Sequence, residues 1–306
     1  MSKLIFFGTP EFAVPILKKL FKSKYLIQCV YTQPPKKSNR GQKITKSHVQ
    51  KIAEDLNINL RTPSKLNDNS EEYKFMKSLD SDLAIVVAYG QIIPKKFLDL
   101  PKKGFLNIHA SILPKYRGAA PIQRSIMNLE KKTGISIMKM CEKLDSGPVC
   151  NKYEIDIKDE HNFEKLSKDL SNLASEKIIE NINNIFDNNV QFVNQDHNKA
   201  TYAAKIEKNE SIIKWDMSAE NLLGKINGLY PNPGACFYFN KERYKILKAE
   251  VNDHVGEIGI VLKTPLIIGC KNKSIKVLKI QRAGKSSQNI EEFIIGSRIT
   301  VGTNLN

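Results

Sequence analysis

The chain has 306 residues, enough for two domains and a sizeable core, and its 41% hydrophobic and 26% charged residues are those of an ordinary globular protein. No apolar run approaches the roughly 18 residues that span a bilayer, and five scattered cysteines, never paired as C-x-x-C, argue against a disulfide framework or a zinc site. The formal net charge of +16 is uneven and leaves a polyanionic partner open.

In chain order, Lys3 to Phe7 reads as a buried first strand, and Gly8-Thr9-Pro10 as a tight turn. Glu11 to Phe21 follows as a helix with Phe12, Ile16, Leu17, Leu20 and Phe21 on one face, and Leu26 to Tyr31 is the next strand. Strand, helix and strand in this order begin a parallel α/β sheet of Rossmann-like type. The turn at Gly8 is not G-x-G-x-x-G, and Glu11 at the helix start would repel a phosphate, so a dinucleotide cofactor is not expected. Residues 33–47 are basic and rich in turn formers, and read as an irregular arm. Asp82 to Ala88 and Gly104 to His109 are further strands, Ala119 to Leu129 is a helix, and Gly134 to Met140 is a strand. Asn162 to Phe186 has the apolar spacing of one long amphipathic helix.

A polar stretch then reads as the crossing to a second domain. The expected division is 1–189, a linker at 190–207, and 208–306. After a short helix at Ser218 to Asn227 and the Pro231-Asn-Pro-Gly234 turn, five short strands (235–239, 244–249, 259–262, 266–270 and 276–281) suggest a small OB-like β-barrel. The opening Met-Ser-Lys-Leu-Ile-Phe-Phe-Gly lacks a signal-peptide layout, so a cytoplasmic location is expected.

Chemistry concentrates near the middle of the chain. Asn107 and His109 lie two apart on a strand and share a face, and the Leu144-Asp145-Ser146-Gly147 turn follows within 40 residues. A carboxamide donor beside a titratable ring and a carboxylate suits attack at a carbonyl, where an oxyanion forms and protons must move. Taken alone, N-x-H and L-D-S-G are also ordinary structural elements. The charge is patterned as well. Residues 12–53 hold ten Lys or Arg and no acid, and residues 258–290 hold seven more and no acid. Nucleic acid is the leading explanation, with general solubility as the alternative.

The run Asn107-Ile-His-Ala-Ser-Ile-Leu-Pro-Lys-Tyr-Arg-Gly-Ala-Ala-Pro-Ile-Gln123 resembles the signature segment of the folate-dependent formyltransferases, N-x-H-x-S-L-L-P followed by R-G-x-x-P and later D-x-G. The resemblance extends through Phe-x-Gly-Thr-Pro at 6–10, Val-Val-Ala-Tyr-Gly at 86–90, Tyr-Ala-Ala-Lys at 202–205 and the Asn-Pro-Gly turn. Within the family the chain is most similar to members that act on initiator tRNA, whose R-G-x-K arm is matched by Arg40, Gly41 and Lys43. The resemblance implies 10-formyltetrahydrofolate as formyl donor, no metal, and the methionine α-amino group on initiator methionyl-tRNA as acceptor. It also implies catalysis by Asn107, His109 and Asp145, a folate loop at Ser111, Ile112, Leu113 and Pro114, and tRNA contact by Arg40 and Lys43. Ile112 stands where Leu is usual, a volume-conserving change.

Three alternatives carry the same residues: a formyltransferase for a ribonucleotide or amino-sugar nucleotide, a hydrolase releasing formate from the donor, and a non-catalytic RNA-binding protein. The basic blocks favour tRNA, and an intact Asn107, His109 and Asp145 favours catalysis. With no evident pairing element, a monomer is expected.

Overall fold

The computed structural model describes residues 1–38, 43–67 and 69–306, with the backbone alone at 37, 38 and 43. The chain divides into two compact units, each discontinuous in sequence. The first comprises Met1–Ala119, Thr133–Ile155 and Ser167–Ala203; the second comprises Ala120–Lys132, Asp156–Leu166 and Ala204–Asn306.

The first unit opens with β1 (Lys3–Gly8), α1 (Val14–Phe21) and β2 (Leu26–Tyr31). Leu4 to Phe7 are buried without alternation, as expected of a parallel strand covered on both faces. In α1 a proline occupies the first turn, where its missing N–H is tolerated, and Ile16, Leu17 and Leu20 point inward while Phe21 is left exposed.

The stretch at 33–47, expected to be irregular, contains a short antiparallel ribbon, β3 (Lys36–Ser38) with β4 (Lys43–Thr45). Next come α2 (His48–Asp55), β5 (Leu60–Arg61) and α3 (Ser70–Ser78). Neither helix has a long apolar period. Each is started by a side-chain cap instead, with Ser47 Oγ accepting from Gln50 N and Asn69 Oδ1 accepting from Glu72 N.

Then follow β6 (Leu83–Val87), α4 (Lys95–Leu98), β7 (Phe105–His109), α5 (Pro121–Met127), β8 (Lys132–Lys139), β9 (Val149–Asp156) and α6 (Phe163–Phe186). The seven strands run in the order β5-β2-β1-β6-β7-β8-β9. Strands β5, β2, β1, β6 and β7 are parallel, and β8 is antiparallel to β7, placing Met138 opposite Asn107 and Ser136 opposite His109. Leu170, Ala174, Ile178, Ile182 and Ile185 form the buried stripe of α6, and Ser171 Oγ and Ser175 Oγ donate to the carbonyls of Phe12 and Pro15. At the ends of β1 and β6, Thr9 Oγ1 and Gln33 Nε2 both donate to Tyr89 O.

In the second unit, α7 (Ala219–Gly228) precedes β10 (Cys236–Phe239), β11 (Glu242–Asn252), β12 (Val261–Lys263), β13 (Ile267–Gly269), β14 (Ser274–Arg282), β15 (Ser287–Asn289) and α8 (Ile290–Ile295). The sheet path is β10-β11-β14-β13-β12, with β15 also on β14, and its pairings are antiparallel. Asn240 and Lys241 both have positive φ, which suits the two-residue turn joining β10 to β11. Trp215, Leu222, Ile226, Phe237, Ile246, Ile268 and Ile280 share its core. Among the described residues no helix is long and apolar enough to cross a membrane.

Candidate active site

Strand β7 positions the first two groups. It is buried along its whole length, and its period of two puts Asn107 and His109 on one face, 8% and 6% exposed. Asp145 reaches them from the turn after β8. Asn107 Nδ2 donates to Asp145 Oδ1 at 3.3 Å, and His109 Nδ1 stands 3.6 Å from Asp145 Oδ2. On the other side of the ring, His109 Nε2 lies 2.8 Å from Tyr116 O. A carbonyl can only accept, so Nε2 carries a hydrogen, and Nδ1 is the nitrogen left for proton exchange beside Asp145. Asp145 Oδ2 also accepts from Gly118 N at 2.8 Å, and the Asp145 backbone sits in the left-handed region at φ 44°. Such a conformation in a non-glycine residue persists where surrounding contacts hold it.

The loop after β7 is folded on itself. Ser111 Oγ donates to Lys115 O at 2.7 Å, while Ser136 Oγ donates to Ser111 O and accepts from Leu113 N. Ser111 and Leu113 are fully buried, and the hydroxyls of Ser111 and Ser136 hold the loop together. Ile112 and Pro114 are partly exposed, and with Lys115, Lys152, Lys199 and Thr201 they border an open cleft of ≈ 550 Å³. Gly118, at φ 118°, is a position where a Cβ would come within 2.8 Å of Ala203 O, so both conformation and proximity require glycine.

The family described as formyl transferase matches residues 2–182, and the formyl transferase C-terminal domain matches residues 205–298. The chain belongs to the formyl transferase family. It is 64% identical over 305 residues to the methionyl-tRNA formyltransferase of Pelagibacter ubique (strain HTCC1062), covering 99% of this chain and 98% of that protein. It is 42% identical to the methionyl-tRNA formyltransferase of Thermodesulfovibrio yellowstonii, over 98% of both chains. Among solved structures, the N-formyltransferase from Helicobacter canadensis shares the fold at TM-score 0.69 and 19% identity, over 90% of this chain and 99% of that one.

In this formyl transferase, sequence reasoning missed a second layer of residues. Residues 193–203, which composition suggests are plain crossing chain, lie against the site. Gln195 Nε2 donates to the carbonyls of both Asp145 and Gly147, and Arg117, 3% exposed, donates to Gln195 Oε1 through Nε and Nη2. Arg117 Nη2 also lies 3.1 Å from His197 Nδ1, and Thr201 Oγ1 accepts from Tyr116 N. No motif announces Gln195 or Thr201; the one signal was Arg117 within the R-G-x-x-P string. Burial pushes the thiols of Cys29, Cys150 and Cys270 up to about 12, 11 and 11, which leaves them protonated near neutrality. Among the described residues no three His, Cys, Asp or Glu are grouped to hold a metal ion. Arg40 and Gly41 lie outside the described residues, and Lys43 is placed by its backbone alone, at the start of β4.

Proposed function

We infer that this chain transfers the formyl group of 10-formyltetrahydrofolate to the α-amino group of the methionine carried by initiator tRNA, for translation initiation. The observation that carries the inference is the convergence of Asn107, His109 and Asp145 within 3.3–3.6 Å at the end of β7. The two methionyl-tRNA formyltransferases matched along nearly their whole length support the choice of acceptor.

A formyl group on nitrogen is a poor electrophile, because the nitrogen lone pair feeds its carbonyl. Attack by an amine converts the carbonyl oxygen into an oxyanion. One N–H of Asn107 is directed at Asp145, and the other donates to that developing charge. The attacking amine must lose a proton, and the leaving folate nitrogen must gain one. Asp145 accepts the first proton, directly or through water, and His109, which exchanges protons with it at Nδ1, is the acid that supplies one to the leaving nitrogen.

We assign the folate to the cleft lined by Ile112, Leu113 and Pro114, with Ser111 fixing the loop's shape. In the division of labour we propose, residues 1–189 carry the reacting groups and 208–306 present cationic surface to tRNA, with 190–207 joining them in sequence. We assign contact with the tRNA to Arg40 and Lys43. The enzyme works as a monomer in the cytoplasm, without a metal.

The test is to mix purified protein with 10-formyltetrahydrofolate and methionine-charged initiator tRNA, and to look for formyl-methionine on the tRNA. Transfer is expected, and Asn107→Ala should slow it by about 100- to 1,000-fold, with a comparable loss in His109→Ala. Release of formate without any need for an amine acceptor would replace this reading with a hydrolase. Binding of tRNA without transfer would leave a binding protein.

A further inference from the structure

We propose that Gln195 is a positioning residue for the Asp145 carboxylate, acting as an amide clamp that Arg117 holds in register. The inference rests on the role of Asp145 given above. The turn that carries Asp145 has little packing of its own: Cys141, Glu142, Lys143 and Leu144 are exposed, Leu144 by 63%. Within the turn, Ser146 Oγ donates to Lys143 O, a tie that does not reach beyond it. The Asp145 backbone is held at φ 44°, a conformation that costs free energy unless neighbouring contacts oppose its relaxation.

Gln195 supplies such contacts. Its one NH2 group donates to Asp145 O at 2.9 Å and to Gly147 O at 2.7 Å, bridging the two peptide carbonyls on either side of Ser146. The amide orientation is fixed by chemistry. Arginine only donates, so Oε1 faces Arg117; carbonyls only accept, so Nε2 faces the turn. Arg117 Nε and Nη2 both reach Oε1, at 3.0 and 2.7 Å, so two charged donors hold the carbonyl end of the amide. Gln195 is 8% exposed and Arg117 3%, so the clamp is shielded from competing water. Arg117 is itself anchored through its main chain, donating to Thr201 O and accepting from Ala203 N. The carboxylate at the reacting centre is thereby referenced to β7's following loop through a side chain 50 residues away in sequence.

The decisive variant is Gln195→Glu, alone and combined with Asp145→Asn. A glutamate keeps a partner for Arg117, so the fold should survive, but it confronts two carbonyls with carboxylate oxygen in place of donors. We expect kcat for formyl transfer to fall by about 10- to 100-fold, the scale of an ångström-sized misplacement, with KM for both substrates little changed and a lowered thermal midpoint, because two shielded carbonyls lose their donor. In the Asp145→Asn background the same change should cost less than about twofold, because residues acting as a unit are not additive. Arg117→Lys keeps the charge but loses the fork, and should show the same coupling with a smaller loss; it serves if Gln195→Glu does not fold. Equal losses in the presence and absence of the Asp145 carboxylate, or a wild-type kcat in Gln195→Glu, would overturn the proposal. A wild-type rate in Asp145→Asn by itself would instead overturn the role of Asp145, whatever Gln195 does.

Discussion

Gly147→Ala tests whether the Asp145 turn must sit where it does. A Cβ at Gly147 would stand 1.9 Å from Lys139 O, where real Cβ contacts essentially never come under 3.0 Å. The obstacle is a backbone carbonyl at the end of β8, and Lys139 N is itself bonded to Pro148 O, so the clash cannot be relieved by turning a side chain. The turn must therefore back away by the difference, 3.0 − 1.9 = 1.1 Å. Asp145 is two residues upstream, and Gly147 O is one of the two carbonyls held by Gln195. A misplacement of this size costs about 100-fold in rate, equivalent to about 2.7 kcal/mol of barrier. The stability cost should be smaller, about 1–2 kcal/mol for local overpacking, because the turn is largely exposed. Single-turnover transfer to charged tRNA at saturating donor, measured with thermal unfolding, separates the two effects. Gly296→Ala, where a Cβ would meet nothing within 4 Å, is the control. A Gly147→Ala protein that folds and transfers formyl at the wild-type rate would refute the claim that catalysis depends on the placement of this turn.

Two further outcomes are expected. The Arg124 guanidinium, bonded to Glu210 and to Ala204 O, holds the Glu210 carboxyl below the usual carboxylate range. Because the folded value is the depressed one, the pair stabilises the protein fully above the unfolded value and less as pH falls through the folded one. Arg124→Met should remove about 1 kcal/mol at neutral pH and flatten that acid limb in denaturation curves; an unchanged limb would dismiss the pair. Arg40→Ala should weaken use of tRNA and reduce the salt dependence of binding by about one unit of slope, with folate binding unchanged. Equal loss for both substrates would sink that assignment.

Where one chemical constraint dominates, local pattern is enough to read the fold. Strands β1, β2, β6 and β7 of the first sheet are short, mostly apolar runs, and the stripe on α6 recurs at three- and four-residue spacing, so both are visible without tertiary information. Helices α2 and α3 are not, since their starts depend on the Ser47 and Asn69 caps more than on an apolar period. Strand β9 alternates half-buried and exposed residues from Asn151 to Asp156, which gives it little hydrophobic signature. The candidate site shows the same division. Asn107 and His109 share a face because a strand has period two, and a sequence contains that fact. The contact of Gln195 with Asp145 spans 50 residues and involves an amide in a polar stretch, so nothing local distinguishes it from a surface glutamine.

The charge blocks show how a one-dimensional pattern changes meaning when it folds. Residues 258–290 contain no acid, yet β14 lies antiparallel to β11, which carries Glu242 and Glu250. Lys276 pairs with Glu250 at 2.8 Å, Arg282 with Glu242, and Lys273 with Glu220 and Asp253. Among the described residues Lys263, Lys271, Lys279 and Lys285 of the block form no such ion pair. A phosphate approaching a paired cation must compete with a carboxylate already in place, so an exposed ion pair contributes far less to polyanion binding than a lone lysine. The cationic surface available to RNA from this block is thus closer to four charges than to the seven in the sequence. The relevant quantity for an RNA partner is the spacing of those four in the folded unit, where Lys263 and Lys279 lie on β12 and β14 and Lys271 and Lys285 in the turns flanking β14, and not the absence of acids in the run.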